Sequence, residues 1–121
     1  MLNKKYDLAA GILSIHHLIT KDKKILYKKI YKTLNKDGLF IIGDLVLGDT
    51  KAETTKLESS WKKYLQKTFG KKEGEKWFDI YKEEDIPESI NNQLKWLKQA
   101  GFKDPNCVWN KSNCAVIVGK K

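Results

Sequence analysis

Two short apolar runs on either side of an amphipathic stretch constrain the fold of this 121-residue chain most strongly. The runs over 6–13 and 39–46 are nearly continuous in apolar residues, which is typical of strands buried on both faces of a sheet. Between them, apolar residues recur every three to four positions, which predicts a helix over 22–36. Gly38 is expected to make the tight turn that follows by adopting a positive φ. The order strand, helix, strand predicts an α/β fold.

The remainder of the chain adds helices and a C-terminal hairpin. Two aromatic-rich helical stretches fall within about 53–82 and interrupt the alternation of strand and helix, which indicates an insertion that covers a site or completes the core. A further helix is predicted over 89–100, with Gly101 as its C-terminal cap. Two strands near 103–109 and 113–118 are separated by a short polar connection that suits an antiparallel hairpin. We expect one domain over 1–121.

The positive charge of the chain comes entirely from one residue type. The net charge is +9, and all 24 basic residues are lysines. Lysine neutralises phosphate as a point charge but lacks the planar fork with which arginine binds it. The lysines are therefore expected to form a solvated surface, and a lysine-rich RNA-binding domain remains an alternative. No apolar stretch is long enough to span a membrane, and no signal peptide is recognisable, so a cytoplasmic protein is expected.

Histidines and cysteines are the other residues with reactive or metal-binding side chains. His16 and His17 are adjacent, and adjacent side chains in an extended segment point apart, so no metal site is expected. Cys107 and Cys114 have no paired histidines nearby. They are expected to be reduced, buried, small apolar residues.

Four segments resemble, in order, the C-terminal half of class I (Rossmann-like) S-adenosylmethionine-dependent methyltransferases. The first combines an aromatic–Asp pair at a strand start with a His-His-Leu triplet, and the second leads through Gly38 into an apolar strand. The third is similar to the Leu-x-x-Ala-Gly-Phe motif of that family, and the fourth to its closing strand. The segments are 6–18, 30–42, 97–102 and 114–120. The resemblance covers essentially the whole chain.

The resemblance implies a particular sheet and a missing part of it. The strand order of the family is three-two-one-four-five-seven-six, and this chain would supply strands four, five, seven and six with the seventh antiparallel. The glycine-rich loop after strand one and the acidic residue after strand two, which hold the cofactor in the family, have no counterpart in these 121 residues. The chain is therefore expected to be inactive alone, although the complete fold would bind S-adenosylmethionine.

The resemblance also implies binding residues at the ends of two strands. Gly11, Ile12 and Ser14 would line the methionine end of the cofactor, and His17 and Asp44 would contact the substrate. No catalytic residue is identified. The alternatives are purely structural roles, in which Gly11 relieves packing, His17 caps its loop or the following helix, and Asp44 is a hydrogen-bonded strand-end carboxylate.

The apolar strand near 8–13 would lack its neighbour, strand one, in this chain. An exposed apolar edge is a template for pairing with another strand. We therefore expect the chain to pair there with an N-terminal half of the same fold or with a second copy, as a homodimer. The methyl acceptor is left open between a small molecule and a tRNA. A standalone interaction module that uses the same strand edge is the alternative function.

Overall fold

Five strands and four α-helices form an open α/β structure. A computed structural model describes residues 4–121, so the first three residues of the predicted domain lie outside the described residues. The strands are β1 (Tyr6–Ile12), β2 (Leu34–Leu47), β3 (Glu88–Ser89), β4 (Lys103–Lys111) and β5 (Cys114–Lys120). The helices are α1 (Thr20–Thr33), α2 (Lys51–Phe69), α3 (Lys71–Glu84) and α4 (Ile90–Ala100), with a short 3₁₀ helix at Ile15–His17.

The sheet has the strand order β1-β2-β5-β4. Strands β1 and β2 are parallel, whereas β5 is antiparallel to both β2 and β4. This is the predicted half-sheet, with β1, β2, β5 and β4 in the places of strands four, five, seven and six, and the prediction is confirmed. The short strand β3, which pairs in parallel with Val46–Leu47 of β2, was not predicted, because two residues carry no periodic pattern.

Strand β1 is much more exposed than its sequence predicts. Leu8 is 55% exposed and Ile12 is 61% exposed, so the prediction that this run is buried on both faces is wrong. The reason is topological. In the described chain β1 pairs with β2 alone, and helix α1 packs mainly on α4 and β2. The apolar run therefore belongs to an edge strand that has one neighbour in the described chain.

The turn after α1 differs from the prediction in both its position and its geometry. Helix α1 ends at Thr33, and strand pairing resumes at once, with Tyr6 opposite Leu34. The residue with a positive φ is Asp37, at 64°, and Gly38 does not have one. Glycine is required at position 38 for space, because a Cβ there would lie 2.9 Å from the carbonyl oxygen of Asn35.

The main core lies between the sheet and helices α1 and α4. Its buried apolar residues are Ile15, Tyr27, Leu34, Phe40, Ile42, Trp96, Leu97, Phe102 and Ile117. Helix α4 begins where the Ser89 hydroxyl accepts a hydrogen bond from the N–H of Asn92, at 3.1 Å. It ends at Gly101 with φ of 116°, as predicted. Phe102 then packs into the core beside Phe40, with ring centroids 5.8 Å apart.

Helices α2 and α3 form an antiparallel pair outside the main core. Gly70 connects them with φ of 90°, and Gly74 lets their backbones approach closely. Trp61 of α2 meets Tyr81 of α3 with ring centroids 4.8 Å apart. The two helices thus have an aromatic interface of their own. Within the described residues, no helix combines the length and the apolar character needed to cross a membrane.

The two cysteines lie on the C-terminal hairpin. Both are free thiols, and both are only partly buried. The prediction that they are buried is therefore wrong, because helix α4 and the α2–α3 pair cover the hairpin incompletely.

Candidate functional site

Four of the five binding residues expected from the sequence lie together where β1 ends beside β2. Ile12, the last residue of β1, lies opposite Gly43 of β2, and Asp44 follows directly. Since parallel strands end at the same edge of a sheet, Gly11, Ile12, Ser14 and Asp44 share that edge. His17 follows in the 3₁₀ helix that leaves β1. The edge therefore joins the expected cofactor side to the expected substrate side.

The segment from Gly11 to Ser14 lies at the surface. Ile12, Leu13 and Ser14 are exposed, and Gly11 is partly buried. A Cβ at Gly11 would lie 2.8 Å from Cδ1 of Ile15, which is the end of a flexible side chain. Leu13 has φ of 50°, and its N–H donates to the carbonyl of Gly43 at 2.7 Å. Left-handed backbone at a leucine costs about 1–2 kcal/mol, so the contact with β2 holds the end of the strand in a strained conformation.

Asp44 is buried and serves His16. Its carboxylate accepts hydrogen bonds from the backbone N–H of His16 at 2.9 Å, from ring Nδ1 of His16, and from the N–H of Leu45 at 2.9 Å. Because a carboxylate only accepts, Nδ1 of His16 is the donor in this contact, and Asp44 leaves Nε2 unused. The contacts of Asp44 are those of the hydrogen-bonded strand-end carboxylate that the sequence left as an alternative.

His16 and His17 face the same carboxylate. Nε2 of His16 lies 3.5 Å from Oδ2 of Asp85, and Nδ1 of His17 lies 3.5 Å from Oδ1 of the same residue. The two ring centroids are 4.1 Å apart. The prediction that the two side chains point apart is wrong, because a 3₁₀ helix turns about 120° per residue, whereas an extended segment turns about 180°.

Asp85 is the site residue that sequence reasoning missed. It follows α3 and lies far from the histidines in the chain, and no periodic pattern connects the two segments. Three hydrogen bonds fix the segments on either side of this contact. The N–H of Ile86 donates to the carbonyl of His16 at 2.6 Å, and the Lys23 ammonium donates to the carbonyls of Leu18 and Ile86.

Lys23 is a buried cation that connects these segments. Burial lowers the pKa of Lys23, and the nearby carboxylates of Glu88 and Asp44 partly oppose that effect. Its ammonium is satisfied by backbone carbonyls and not by a salt bridge. The lysine thereby fixes the chain after the 3₁₀ helix against the chain after α3, and so fixes the distance between the histidines and Asp85.

A cavity of about 370 Å³ opens beside His17 and Asp85. Helices α2 and α3 supply its apolar wall, which includes Trp61, Leu65, Trp77 and Tyr81. Leu65 and Tyr81 are buried, whereas Trp77 is half exposed. The aromatic residues therefore play both roles considered from the sequence, because some form the interface of the two helices and others line a cavity next to the histidines.

A larger cavity of about 500 Å³ lies elsewhere, between the end of β2, helix α4 and strand β4. Asp49, Asn91, Asn106 and Trp109 are among its lining residues. None of the binding residues expected from the sequence lines it. The cavity beside the histidines is therefore the better candidate for a site of chemistry.

No protein-family model and no curated protein matches this sequence. Solved structures do match it. A structure of PigF with SAH is 19% identical, with a TM-score of 0.69, over 99% of this chain and 32% of the other. The apo form of the S-adenosylmethionine-dependent methyltransferase SibL is 14% identical, with a TM-score of 0.69, over 98% and 33%. Human N-acetylserotonin methyltransferase in complex with SAM is 15% identical, with a TM-score of 0.67, over 95% and 29%.

These similarities concern the fold, because the identities are low. The chain spans about a third of the length of the methyltransferases that it matches. Its sheet order, with an antiparallel strand between two others, agrees with the half-sheet implied by the sequence resemblance. Residues 4–121 have the fold of the C-terminal part of a class I, Rossmann-like methyltransferase.

Proposed function

We propose that the chain supplies the C-terminal side of the active site of an S-adenosylmethionine-dependent methyltransferase. The observation that carries the proposal is the shared edge at which the open backbone of Gly11–Ser14 meets the His16–Asp44 pair. The solved structures with this fold include PigF with SAH and N-acetylserotonin methyltransferase with SAM. In open α/β sheets, ligands bind beyond the carboxyl ends of the strands, which is where this edge lies.

Gly11, Ile12 and Ser14 would contact the methionine end of the cofactor. Ile12 and Ser14 are exposed, so the backbone of Ile12 and the hydroxyl of Ser14 could bond to the amino and carboxylate groups of a bound amino acid. The chain has no glycine-rich loop, so it would hold only one side of the ligand. We therefore expect binding in the millimolar range, which corresponds to about 4 kcal/mol, and no turnover by the chain alone.

His17 and Asp44 would act on the methyl acceptor in different ways. His17 is exposed at the cavity and can contact the acceptor directly, whereas Asp44 would act by holding His16. The sulfonium of the cofactor supplies the electrophile, so the protein mainly has to align the acceptor and exclude water. The aromatic wall of α2 and α3 suits a small apolar acceptor better than a tRNA, because a tRNA would need a concentrated basic surface.

The function is tested by equilibrium dialysis of the 121-residue chain with labelled S-adenosylmethionine. The expected result is weak binding, with a Kd of about 1 mM, and no methyl transfer to small phenolic acceptors or to tRNA. A Kd in the micromolar range, or turnover by the chain alone, would show that the site is complete and would contradict the proposal. The variant Asp79→Asn, at an exposed position of α3, serves as the control.

The exposed edge of β1 is the second part of the proposal. Leu13 directs its N–H at β2, so the alternate amides of Leu8, Ala10 and Ile12 point away from the sheet. We propose that a strand of an N-terminal half, or a second copy, pairs there. The specific support is the exposure of Leu8 and Ile12 on a strand that has one partner in the described chain.

Light scattering with size-exclusion chromatography tests the pairing. A homodimer would have a mass of about 28 kDa, twice the 14.0 kDa of the chain, and Leu8→Lys would convert it to a monomer. A monomer with rapidly exchanging amides at Leu8, Ala10 and Ile12 would support an unpaired edge of β1, at which a strand of an N-terminal half could pair. A monomer in which those amides are protected from hydrogen exchange would overturn the pairing proposal.

A further inference from the structure

His16, His17 and Asp85 form a cluster with the composition of a metal site. One ligand atom from each residue lies within 4.8 Å of the other two. Each histidine nitrogen is 3.5 Å from an oxygen of Asp85. Ligand atoms at metal distances of about 2.1 Å are separated by about 3.4 Å in a tetrahedral site, which is close to the distance between each histidine nitrogen and Asp85. We infer that these three residues bind a divalent transition metal of the zinc class.

The environment of His16 supports a ligand role over a purely structural one. Metal-binding histidines commonly donate their second ring N–H to a carboxylate, which fixes the tautomer and the ring orientation. Asp44 makes that contact with Nδ1 of His16, and it also holds the backbone N–H of the same residue. Nε2 is the ring nitrogen directed at Asp85. The fixed orientation of the ring therefore favours Nε2 of His16 as a metal ligand.

Backbone hydrogen bonds also hold the cluster in place without a bound ion. The N–H of Asp85 donates to the carbonyl of Tyr81 at 3.0 Å, which continues the last turn of α3. The next residue, Ile86, donates its N–H to the carbonyl of His16 at 2.6 Å. The segment that carries Asp85 is therefore bonded both to its own helix and to the 3₁₀ helix that carries the histidines.

The donor set selects the kind of metal. Two imidazole nitrogens and one carboxylate oxygen suit Zn²⁺, Co²⁺ or Ni²⁺, whereas Mg²⁺ and Ca²⁺ prefer oxygen ligands throughout. Three protein ligands leave at least one coordination position open. His17 and Asp85 both line the cavity of about 370 Å³, so a water or a ligand atom in that cavity could occupy the open position.

The experiment uses the complete chain without a polyhistidine tag, treated with a chelator and then dialysed. Cys107→Ser and Cys114→Ser are introduced together to remove the two thiols as competing ligands. Isothermal titration with Zn²⁺ is expected to show one site per chain with a Kd of about 1 µM or below. Co²⁺ is expected to give the visible absorption of a four- or five-coordinate site.

Variants separate the proposed ligands from the rest of the surface. His17→Ala and Asp85→Asn are each expected to weaken Zn²⁺ binding at least tenfold, while Asp79→Asn on the same helix leaves it unchanged. Asp44→Asn, which alters the partner of a ligand, is expected to weaken binding by about 10- to 100-fold, with folding checked by circular dichroism.

Two results would overturn the inference. One is the absence of saturable binding up to about 100 µM Zn²⁺, far above the expected Kd. The other is binding of equal strength by the parent, His17→Ala and Asp85→Asn. Neither outcome depends on S-adenosylmethionine, so the metal site can fail while the methyltransferase proposal stands.

Discussion

Asp44 accepts hydrogen bonds from both the backbone N–H and the ring Nδ1 of His16, which lies 28 residues earlier in the chain. The contact joins the end of β2 to the 3₁₀ helix that follows β1. It determines the ring orientation of His16, and through Asp85 it also determines how the two histidines meet. The geometry of the candidate site therefore begins with a buried carboxylate that does not itself reach the surface.

Asp44→Asn should destabilise the protein. The amide NH₂ would oppose a backbone N–H or the protonated Nδ1 of His16, and charge-assisted hydrogen bonds would be lost. We expect the free energy of unfolding to fall by about 1.5–3 kcal/mol. Urea denaturation followed by circular dichroism measures the change, and the exposed Asp79→Asn should stay within about 0.5 kcal/mol of the wild type. Equal stability of Asp44→Asn and the wild type would refute the role given to Asp44.

Tyr27→Phe should have an effect that depends on pH. The buried hydroxyl of Tyr27 donates to Oε1 of Gln93 at 2.8 Å, and its loss should cost about 1–3 kcal/mol near pH 7. Burial, with smaller effects from Asp44 and Glu88, raises the pKa of Tyr27 well above its ordinary value near 10. Because the pKa of Tyr27 is higher in the folded state than in the unfolded state, the tyrosine contributes its full stabilisation below pH 10. That contribution to the free energy of unfolding is lost as the pH rises further.

The stability gap between the wild type and Tyr27→Phe should therefore narrow between pH 9 and pH 11.5. Only the wild type has to keep this phenol protonated in the folded state at high pH. Urea denaturation at a series of pH values provides the measurement. A gap that stays constant or widens above pH 10 would contradict the burial of an un-ionised Tyr27.

Gly74→Ala should separate helices α2 and α3. A Cβ at this position would lie 2.5 Å from the backbone N and Cα of Gln66, so the helices would have to move apart. Alanine favours a helix over glycine by about 1 kcal/mol, but the steric clash with backbone should dominate and leave a net loss of about 1–3 kcal/mol. Thermal unfolding measures the loss, and Glu73→Ala is the exposed control on the preceding residue. A stabilised Gly74→Ala would show that the helices are not in close contact.

Cys114 should react slowly with thiol reagents. Burial raises the pKa of this thiol, with a smaller effect from Asp44, and the thiolate is the reactive form. In a Cys107→Ser background, the labelling rate at pH 7.5 should be well below that of free cysteine and should rise to that level in denaturant. Labelling as fast as free cysteine under native conditions would place Cys114 at an open surface.

Strands β1, β2, β4 and β5 were predictable because each carries an apolar pattern, and their order followed from the family resemblance, whereas the two residues of β3 carry no such pattern. The contact of His16 and His17 with Asp85 was not predictable, because it depends on the 3₁₀ turn after β1 and on a loop contact across α3. The exposure of Leu8 could not be predicted for a different reason. An apolar run shows that a strand is suited to burial, but it does not show whether the strand has a neighbour on each side.

The most direct test of the account is a nuclear magnetic resonance titration of the ¹⁵N-labelled chain with S-adenosylhomocysteine. Methionine and adenosine are titrated separately as half-ligands. The amide shifts are expected to concentrate at Gly11, Ile12 and Ser14, to saturate in the millimolar range, and to be reproduced by methionine but not by adenosine. Shifts confined to other surfaces, or no shift at the end of β1 at 10 mM ligand, about ten times the expected Kd, would contradict it.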